Sequence, residues 1–111
     1  MTDKVVVLVS VGSLKEGRKL GRSLVEAKLA ACVNLMPAME SIYTWQGKIE
    51  KAREQLLLVK TSREVFPRLA AEIRKLHSYT TPEVICLPII DGSAEYLAWL
   101  DESLKPSNPE A

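Results

Sequence analysis

Two long strand-like segments, residues 32–45 and 48–61, constrain the fold of this chain more than any other feature. They are joined at Gln46 and Gly47, where a glycine can supply the positive φ angle of a tight hairpin turn. Each arm has about 14 residues and spans about 46 Å, whereas a compact domain of this size has a radius of gyration of about 13 Å. We therefore predict a hairpin that projects beyond its own domain.

The projecting hairpin carries large apolar side chains, namely Ile42, Tyr43, Trp45 and Ile49. Exposed apolar surface and unpaired strand edges both favour association with another chain that covers them. The mismatch between the hairpin length and the domain size therefore predicts a homo-oligomer. Within the first arm, Pro37 predicts a bulge or a kink.

The segment before the hairpin has the pattern of a strand followed by a helix. Residues 5–11 are rich in valine, which is typical of a strand buried on both faces near the middle of a sheet. Ser13 and Glu16 predict the capping box of a first helix, and the apolar stripe of that helix extends to Leu29.

The segment after the hairpin has the pattern of a helix followed by a strand. A second helix is predicted over residues 62–76, with Ser62 as its N-cap and Pro67 in its first turns. A fourth strand is predicted over residues 83–90. Because Pro88 lacks an N–H donor, this strand is expected at a sheet edge.

A third helix completes the predicted element order. Its apolar face is formed by Tyr96, Leu97, Trp99, Leu100 and Leu104. The order is βαββαβ plus a final helix, which predicts an α+β, ferredoxin-like fold with helices on one face of an antiparallel sheet. We predict a single domain over residues 1–105 and a disordered tail over residues 106–111.

Composition excludes several classes of partner. With 15 basic and 14 acidic residues, the chain has no excess of positive charge, so we do not expect it to bind nucleic acid. No apolar stretch is long enough to cross a bilayer, so no membrane partner is expected. Cys32 and Cys86 lie far apart in a chain without disulfide-rich character. We expect a soluble, cytoplasmic protein.

Residues 77–83, with the sequence HSYTTPE, gather the groups best suited to chemistry. They include the only histidine of the chain, a tyrosine and a carboxylate. Pro82 disfavours helical backbone at the residue before it, so His77 is expected near the C-terminus of the second helix. There an imidazolium is stabilised by the helix dipole, while a neutral imidazole is able to bind a metal. The sequence leaves both roles open.

Five segments in matching order resemble the CutA family of divalent-cation tolerance proteins. They are residues 30–34 (AACVN), 41–47 (SIYTWQG), 59–61 (VKT), 77–83 (HSYTTPE) and 95–100 (EYLAWL). The resemblance implies a ferredoxin-like subunit, a homotrimer built by interlocking hairpins, and a role in tolerance of copper or other heavy metals in the cytoplasm. It also implies an architecture similar to that of PII signalling trimers. Ser78 stands where the family usually has proline.

The resemblance and the residue types together suggest a metal site. The candidate ligands are His77, Cys32 and Glu83, with Cys86 a further thiol. Imidazole and thiolate ligands suit copper or zinc alike. The resemblance implies copper as the cofactor, with other divalent cations left open. The alternative is that His77 caps the second helix and that the cysteines pack as small buried side chains.

A second candidate site is a cleft between subunits. Tyr43, Trp45 and Tyr79 are its predicted walls, and Lys60 is the predicted partner of an anionic ligand. The alternative is that the aromatic side chains only pack in a trimer interface.

Catalysis is not expected, because no serine or cysteine has a suitably placed base. The leading hypothesis is a homotrimer that binds copper or other divalent cations and contributes to heavy-metal tolerance. The alternatives are a PII-like regulatory trimer that binds a small anion, or a non-catalytic scaffold.

Overall fold

A computed structural model describes residues 2–106 of the chain. The predicted tail therefore lies outside the described residues, apart from Pro106. The elements are β1 (Lys4–Val11), α1 (Leu14–Glu26), β2 (Cys32–Trp45), β3 (Lys48–Ser62), α2 (Phe66–Leu76), β4 (Ile85–Pro88) and α3 (Ala94–Ser103).

The strands form one antiparallel sheet in the order β2-β3-β1-β4. The predicted α+β, ferredoxin-like arrangement is confirmed, with β1 and β3 central and β4 at an edge. A central strand has a hydrogen-bonded strand on each side, and the valine-rich sequence of β1 is typical of such a strand.

The main core lies between one face of the sheet and the helices α1 and α2. Alternate residues of β1 point into it, because successive side chains of a strand face opposite sides. Among the described residues, the core side chains are Val5, Val7, Val9, Val11, Leu20, Leu24, Leu57, Val59, Leu69 and Ile73. On the other face of β1, Val6 and Leu8 are only half-buried. On that same face Lys4 and Ser10 are buried, so the predicted burial of β1 holds throughout one face and at the two ends of the other.

Two glycines of α1 allow that helix to lie close to β2. A Cβ atom at Gly17 would lie 2.8 Å from Leu35 Cδ1, and one at Gly21 would lie 3.1 Å from Val33 Cγ1. Both distances are shorter than ordinary carbon contacts of about 3.5–4.0 Å. Glycine at these positions thus sets the spacing between the helix and the sheet.

The third helix departs from the expectation that helices lie on one face. Asp101 accepts a hydrogen bond from Lys4 Nζ at 3.1 Å, and Lys60 Nζ lies 5.8 Å from the centre of the Tyr96 ring. Lys4 and Lys60 point away from the face that packs on α1 and α2, because they alternate with Val5 and with buried neighbours. Thus α3 covers part of the opposite face, where its Leu100 is fully buried.

The projecting hairpin is confirmed. Gln46 and Gly47 have φ angles of 52° and 79°, which are the positive values that a two-residue type I′ turn requires. The pairing register shifts between Met36 and Met39, which confirms a bulge at Pro37. The described chain measures 52 × 30 × 23 Å and has a radius of gyration of 15.1 Å, larger than the value of about 13 Å for a compact domain.

Two predicted boundaries were wrong. Helix α2 begins at Phe66, because Ser62 remains in β3 opposite Lys4 and its hydroxyl accepts a hydrogen bond from the Val65 N–H at 3.2 Å. Strand β4 is limited to residues 85–88 instead of 83–90. The first residue of β4, Ile85, pairs with Leu8 of β1. The next carbonyl of β1 that points toward β4 is that of Ser10, and it accepts a hydrogen bond from the His77 side chain instead.

Candidate functional site

His77 is the C-cap residue of α2, and its side chain is fully buried. Its Nε2 lies 2.7 Å from the carbonyl oxygen of Ser10, and its Nδ1 accepts a hydrogen bond from the Tyr79 N–H at 3.0 Å. A carbonyl oxygen can only accept, so Nε2 carries the proton and the ring is neutral. Both ring nitrogens therefore have partners within the protomer.

Glu16, in the first turn of α1, contacts the same segment from the helix side. Its Oε2 accepts a hydrogen bond from the Ser78 N–H and its Oε1 accepts one from the Ser78 hydroxyl, both at 3.0 Å. The same carboxylate lies 3.6 Å from His77 Nδ1. Burial alone would raise the pKa of Glu16, but the hydrogen bonds from the Ser78 N–H and hydroxyl outweigh it and lower that pKa.

Only half of the predicted capping box forms. The Ser13 hydroxyl accepts a hydrogen bond from the Glu16 N–H at 3.1 Å, as the N-cap of α1. In a full capping box, the glutamate side chain bonds the N-cap backbone in return. Here that carboxylate bonds Ser78 instead.

Tyr79 connects this segment to β3. Its hydroxyl donates a hydrogen bond of 2.7 Å to Glu54 Oε2, and Glu54 is only 8% exposed. Burial raises the pKa of the Tyr79 phenol well above its ordinary value, and the hydrogen bond and charge of Glu54 raise it further. The phenol is therefore a hydrogen-bond donor at neutral pH.

The side of the sheet opposite α1 and α2 carries a groove of about 540 Å³, which we call the sheet groove. Its lining includes the carboxylates of Glu54 and Glu83 and the hydroxyl groups of Tyr43, Tyr79 and Ser10. None of the described residues that line it is basic. A groove with two carboxylates and several hydroxyl oxygens suits a cation better than an anion.

The structure brings together four of the seven predicted site residues. Glu83, Tyr43 and Tyr79 line the sheet groove, and Trp45 lines an adjacent pocket of about 340 Å³ with Tyr43 and Tyr79. His77 lies behind Tyr79, with the two rings 4.7 Å apart.

Cys32 and Lys60 lie at another part of the sheet. They are paired across β2 and β3, opposite Val6 of β1, about 13 Å along the strand from Ser10. Lys60 Nζ donates a hydrogen bond of 2.7 Å to Asn34 Oδ1. Within one protomer, Lys60 therefore supplies no charge to the sheet groove, and Cys32 lies apart from the predicted ligands His77 and Glu83.

Residues 2–106 contain no group of three or more His, Cys, Asp or Glu side chains placed to hold a metal ion. The ligand roles of His77, Cys32 and Glu83 stay predictions.

Four residues of this network, Ser10, Glu16, Glu54 and Ser78, were not among the predicted site residues. Glu54 lies in a run of charged residues of the hairpin, Glu16 has an ordinary capping role, and Ser10 contributes only its carbonyl oxygen. The one available signal was Ser10, a polar residue in an otherwise apolar strand.

Tyr79 offers a direct test of this geometry in solution. Replacing it by phenylalanine is expected to remove the most alkaline part of the phenolate absorbance titration, because the folded-state pKa of Tyr79 is raised. The stability that this group contributes is present below about pH 10, the ordinary pKa of tyrosine, and is lost as the pH rises toward the folded-state value. An unchanged alkaline limb in Tyr79→Phe would contradict the contact with Glu54.

Comparison with known proteins supplies independent information. Residues 5–103 match the family model described as CutA1 divalent ion tolerance protein. The divalent-cation tolerance protein CutA of Thermus thermophilus is 49% identical over 98 residues, which are 88% of this chain and 95% of that protein. The chloroplastic protein CutA of Arabidopsis thaliana is 45% identical over 101 residues, 91% of this chain and 56% of that protein.

A solved structure shows the same fold. The structure described as the periplasmic divalent cation tolerance protein CutA from Archaeoglobus fulgidus superimposes with a TM-score of 0.89 at 39% identity. The match covers 92% of this chain and 99% of that chain. Separately, none of the helices within residues 2–106 combines the length and apolar character needed to cross a membrane.

Proposed function

This chain belongs to the CutA1 family of divalent ion tolerance proteins, and from that premise we propose that it is a homotrimer that binds copper or another divalent cation and so contributes to metal tolerance. The proposed function is binding rather than catalysis. The observation that carries it is a groove with two carboxylates beside a hairpin that is exposed on both of its faces.

Each of the two faces of the hairpin carries exposed apolar side chains. Ile42 and Ile49 share one face and are 69% and 81% exposed, while Tyr43 and Trp45 share the other face and are 43% and 50% exposed. A hairpin with two different faces to cover requires contact with two different surfaces. Such heterologous contacts either close into rings or continue as open filaments, and the smallest closed ring of that kind holds three chains.

A ring also supports cation binding. Glu54 and Glu83 leave the sheet groove acidic, and the described residues of one protomer place no third His, Cys, Asp or Glu side chain with them to hold a metal ion. In a closed ring each groove lies next to a neighbour, which can supply the missing donors. Carboxylate and hydroxyl oxygens suit hard cations such as Mn²⁺, whereas copper binding would draw on the predicted imidazole of His77 or thiol of Cys32.

We place the protein in the cytoplasm. Cys32 and Cys86 are both free thiols, which suits a reducing compartment. The named relatives include a chloroplastic and a periplasmic protein, so cell fractionation is the appropriate test.

Titration of Cu²⁺ and Mn²⁺ into the protein by calorimetry tests the proposed binding. Glu83→Gln keeps the size of the side chain but removes its charge, so we expect affinity for the bound cation to fall by more than about tenfold. Cys32→Ser reports whether the thiol contributes to copper affinity.

Glu26→Gln is the matched control, since Glu26 lies on α1 with a side chain that is 67% exposed. It is expected to bind like the wild type. Equal cation affinity in Glu83→Gln and Glu26→Gln would remove Glu83 from the site, and no heat of binding in the wild type would contradict the proposed function.

A further inference from the structure

We propose that Glu16, which is not part of the lining of the sheet groove, is a positioning residue for that groove: it holds Ser78 so that Tyr79 lies against Glu54. The inference rests on the proposed role of the sheet groove in cation binding. Without this role, Glu16 would be assigned only to the cap of α1.

The Glu16 carboxylate binds Ser78 through two hydrogen bonds. Both carboxylate oxygens bond one residue, with the Ser78 N–H on Oε2 and the Ser78 hydroxyl on Oε1, each at 3.0 Å. The two residues are 62 positions apart in the chain. The Glu16 side chain is 21% exposed, so water competes less for these hydrogen bonds than at an open surface site. The pair therefore fixes the backbone of Ser78 against α1.

Residues 78–84 are fixed by side-chain contacts rather than by backbone-to-backbone hydrogen bonds. Among the described residues, those from 78 to 84 make no backbone-to-backbone hydrogen bond and belong to no helix or strand. Segments of this kind are held by their side-chain contacts. Three such contacts tie it to three elements: Ser78 to α1, His77 to the carbonyl oxygen of Ser10 in β1, and Tyr79 to Glu54 in β3.

Ser78 is connected to the sheet groove through Tyr79, the next residue in the chain. Ser78 lies between His77 and Tyr79, and the Tyr79 N–H donates to His77 Nδ1 at 3.0 Å. Any shift of Ser78 therefore changes the direction of the Tyr79 side chain, whose hydroxyl bonds Glu54 at 2.7 Å. Since Tyr79 lines both the sheet groove and the adjacent pocket, its placement shapes both.

The chemistry of Ser78 gives a graded set of variants. Ser78→Ala removes the hydroxyl donor and keeps the N–H, whereas Ser78→Thr keeps both donors. Ser78→Pro removes both, because proline has neither an N–H nor a hydroxyl. Glu16→Gln keeps the shape of the side chain but leaves one acceptor oxygen in place of two.

Amide hydrogen exchange measured by NMR on the full chain tests the inference. In Glu16→Gln and Ser78→Ala we expect the Tyr79 amide to exchange about tenfold faster, while the core amides of β1 keep their protection. Ser78→Thr is expected to match the wild type. The control Glu26→Gln removes an equal charge from the same helix and is expected to leave Tyr79 unchanged.

The same variants are titrated with the cation that the wild type binds, and affinity is expected to fall in Glu16→Gln but not in Ser78→Thr. Unchanged exchange of the Tyr79 amide in both Glu16→Gln and Ser78→Ala would overturn the inference. Faster exchange with unchanged cation affinity would overturn it as well, because Glu16 would then stabilise the segment without serving the groove. A wild type that binds no cation would instead contradict the proposed function, and exchange would still decide whether Glu16 positions Tyr79.

Discussion

The double variant Ile42→Ser, Ile49→Ser is expected to be a monomer of 12.3 kDa at micromolar concentration. Both side chains lie on one face of the projecting hairpin and are 69% and 81% exposed in the protomer. Burying an isoleucine side chain contributes about 1.5–3 kcal/mol, and in a ring this contribution recurs at every interface. Removing two of them per chain therefore removes a large part of the free energy of association.

Light scattering gives the mass of the variant directly. Thr44→Ala is the matched control, because Thr44 lies between the two isoleucines on the same face and is polar. It is expected to keep the mass of the wild type. Since neither isoleucine belongs to the described core, circular dichroism of the double variant is expected to show a folded chain. A double variant that keeps the wild-type mass would exclude this face as an interface.

The second large effect is expected in the core. Leu24 of α1 is fully buried, so Leu24→Ala should lower the free energy of unfolding by about 2–5 kcal/mol, through lost burial and the cavity that remains. Val25 is the next residue and is 38% exposed, so Val25→Ala should cost less than about 1 kcal/mol. Denaturation must be compared at one protein concentration, because the stability of an oligomer depends on it.

Equal losses in these two variants would contradict the burial pattern of α1. The comparison is sharp because the two residues are adjacent in the same helix and share its backbone environment. The side chain of Leu24 points into the core and that of Val25 does not, and valine is also the smaller of the two.

Much of the fold follows from local patterns in the sequence. The Gln46-Gly47 turn, the bulge at Pro37 and the apolar stripes of the helices are each encoded within a few residues. The sheet order then follows from the element order, and β4 lies at the predicted edge. These predictions are confirmed because neighbouring residues largely determine turn type and periodicity.

The wrong boundaries have long-range causes. Ser62 has the chemistry of an N-cap, but pairing with Lys4 keeps it in β3, and α2 begins four residues later. Pairing across a sheet depends on a strand that is distant in the chain, so local propensity does not determine it. The late start of β4 at Ile85 has a similar origin, since His77 occupies the Ser10 carbonyl.

Some of the predicted site residues lie together in the structure and others do not. The segment around Tyr79 and the aromatic residues of the hairpin do meet. Lys60 and Cys32 do not join them in the protomer, because the register of β2 on β3 places both further along the sheet. Glu16 and Glu54 could not be selected from sequence, since each contacts residues 77–79 only through the folded path of the chain.

The mass of the wild-type protein in solution tests the central claim most directly, because both the covered hairpin and the completed groove depend on a ring of three chains. Light scattering at micromolar concentration is expected to give about 37 kDa, three times the chain mass of 12.3 kDa. A stable, well-folded species of 12.3 kDa would contradict the account.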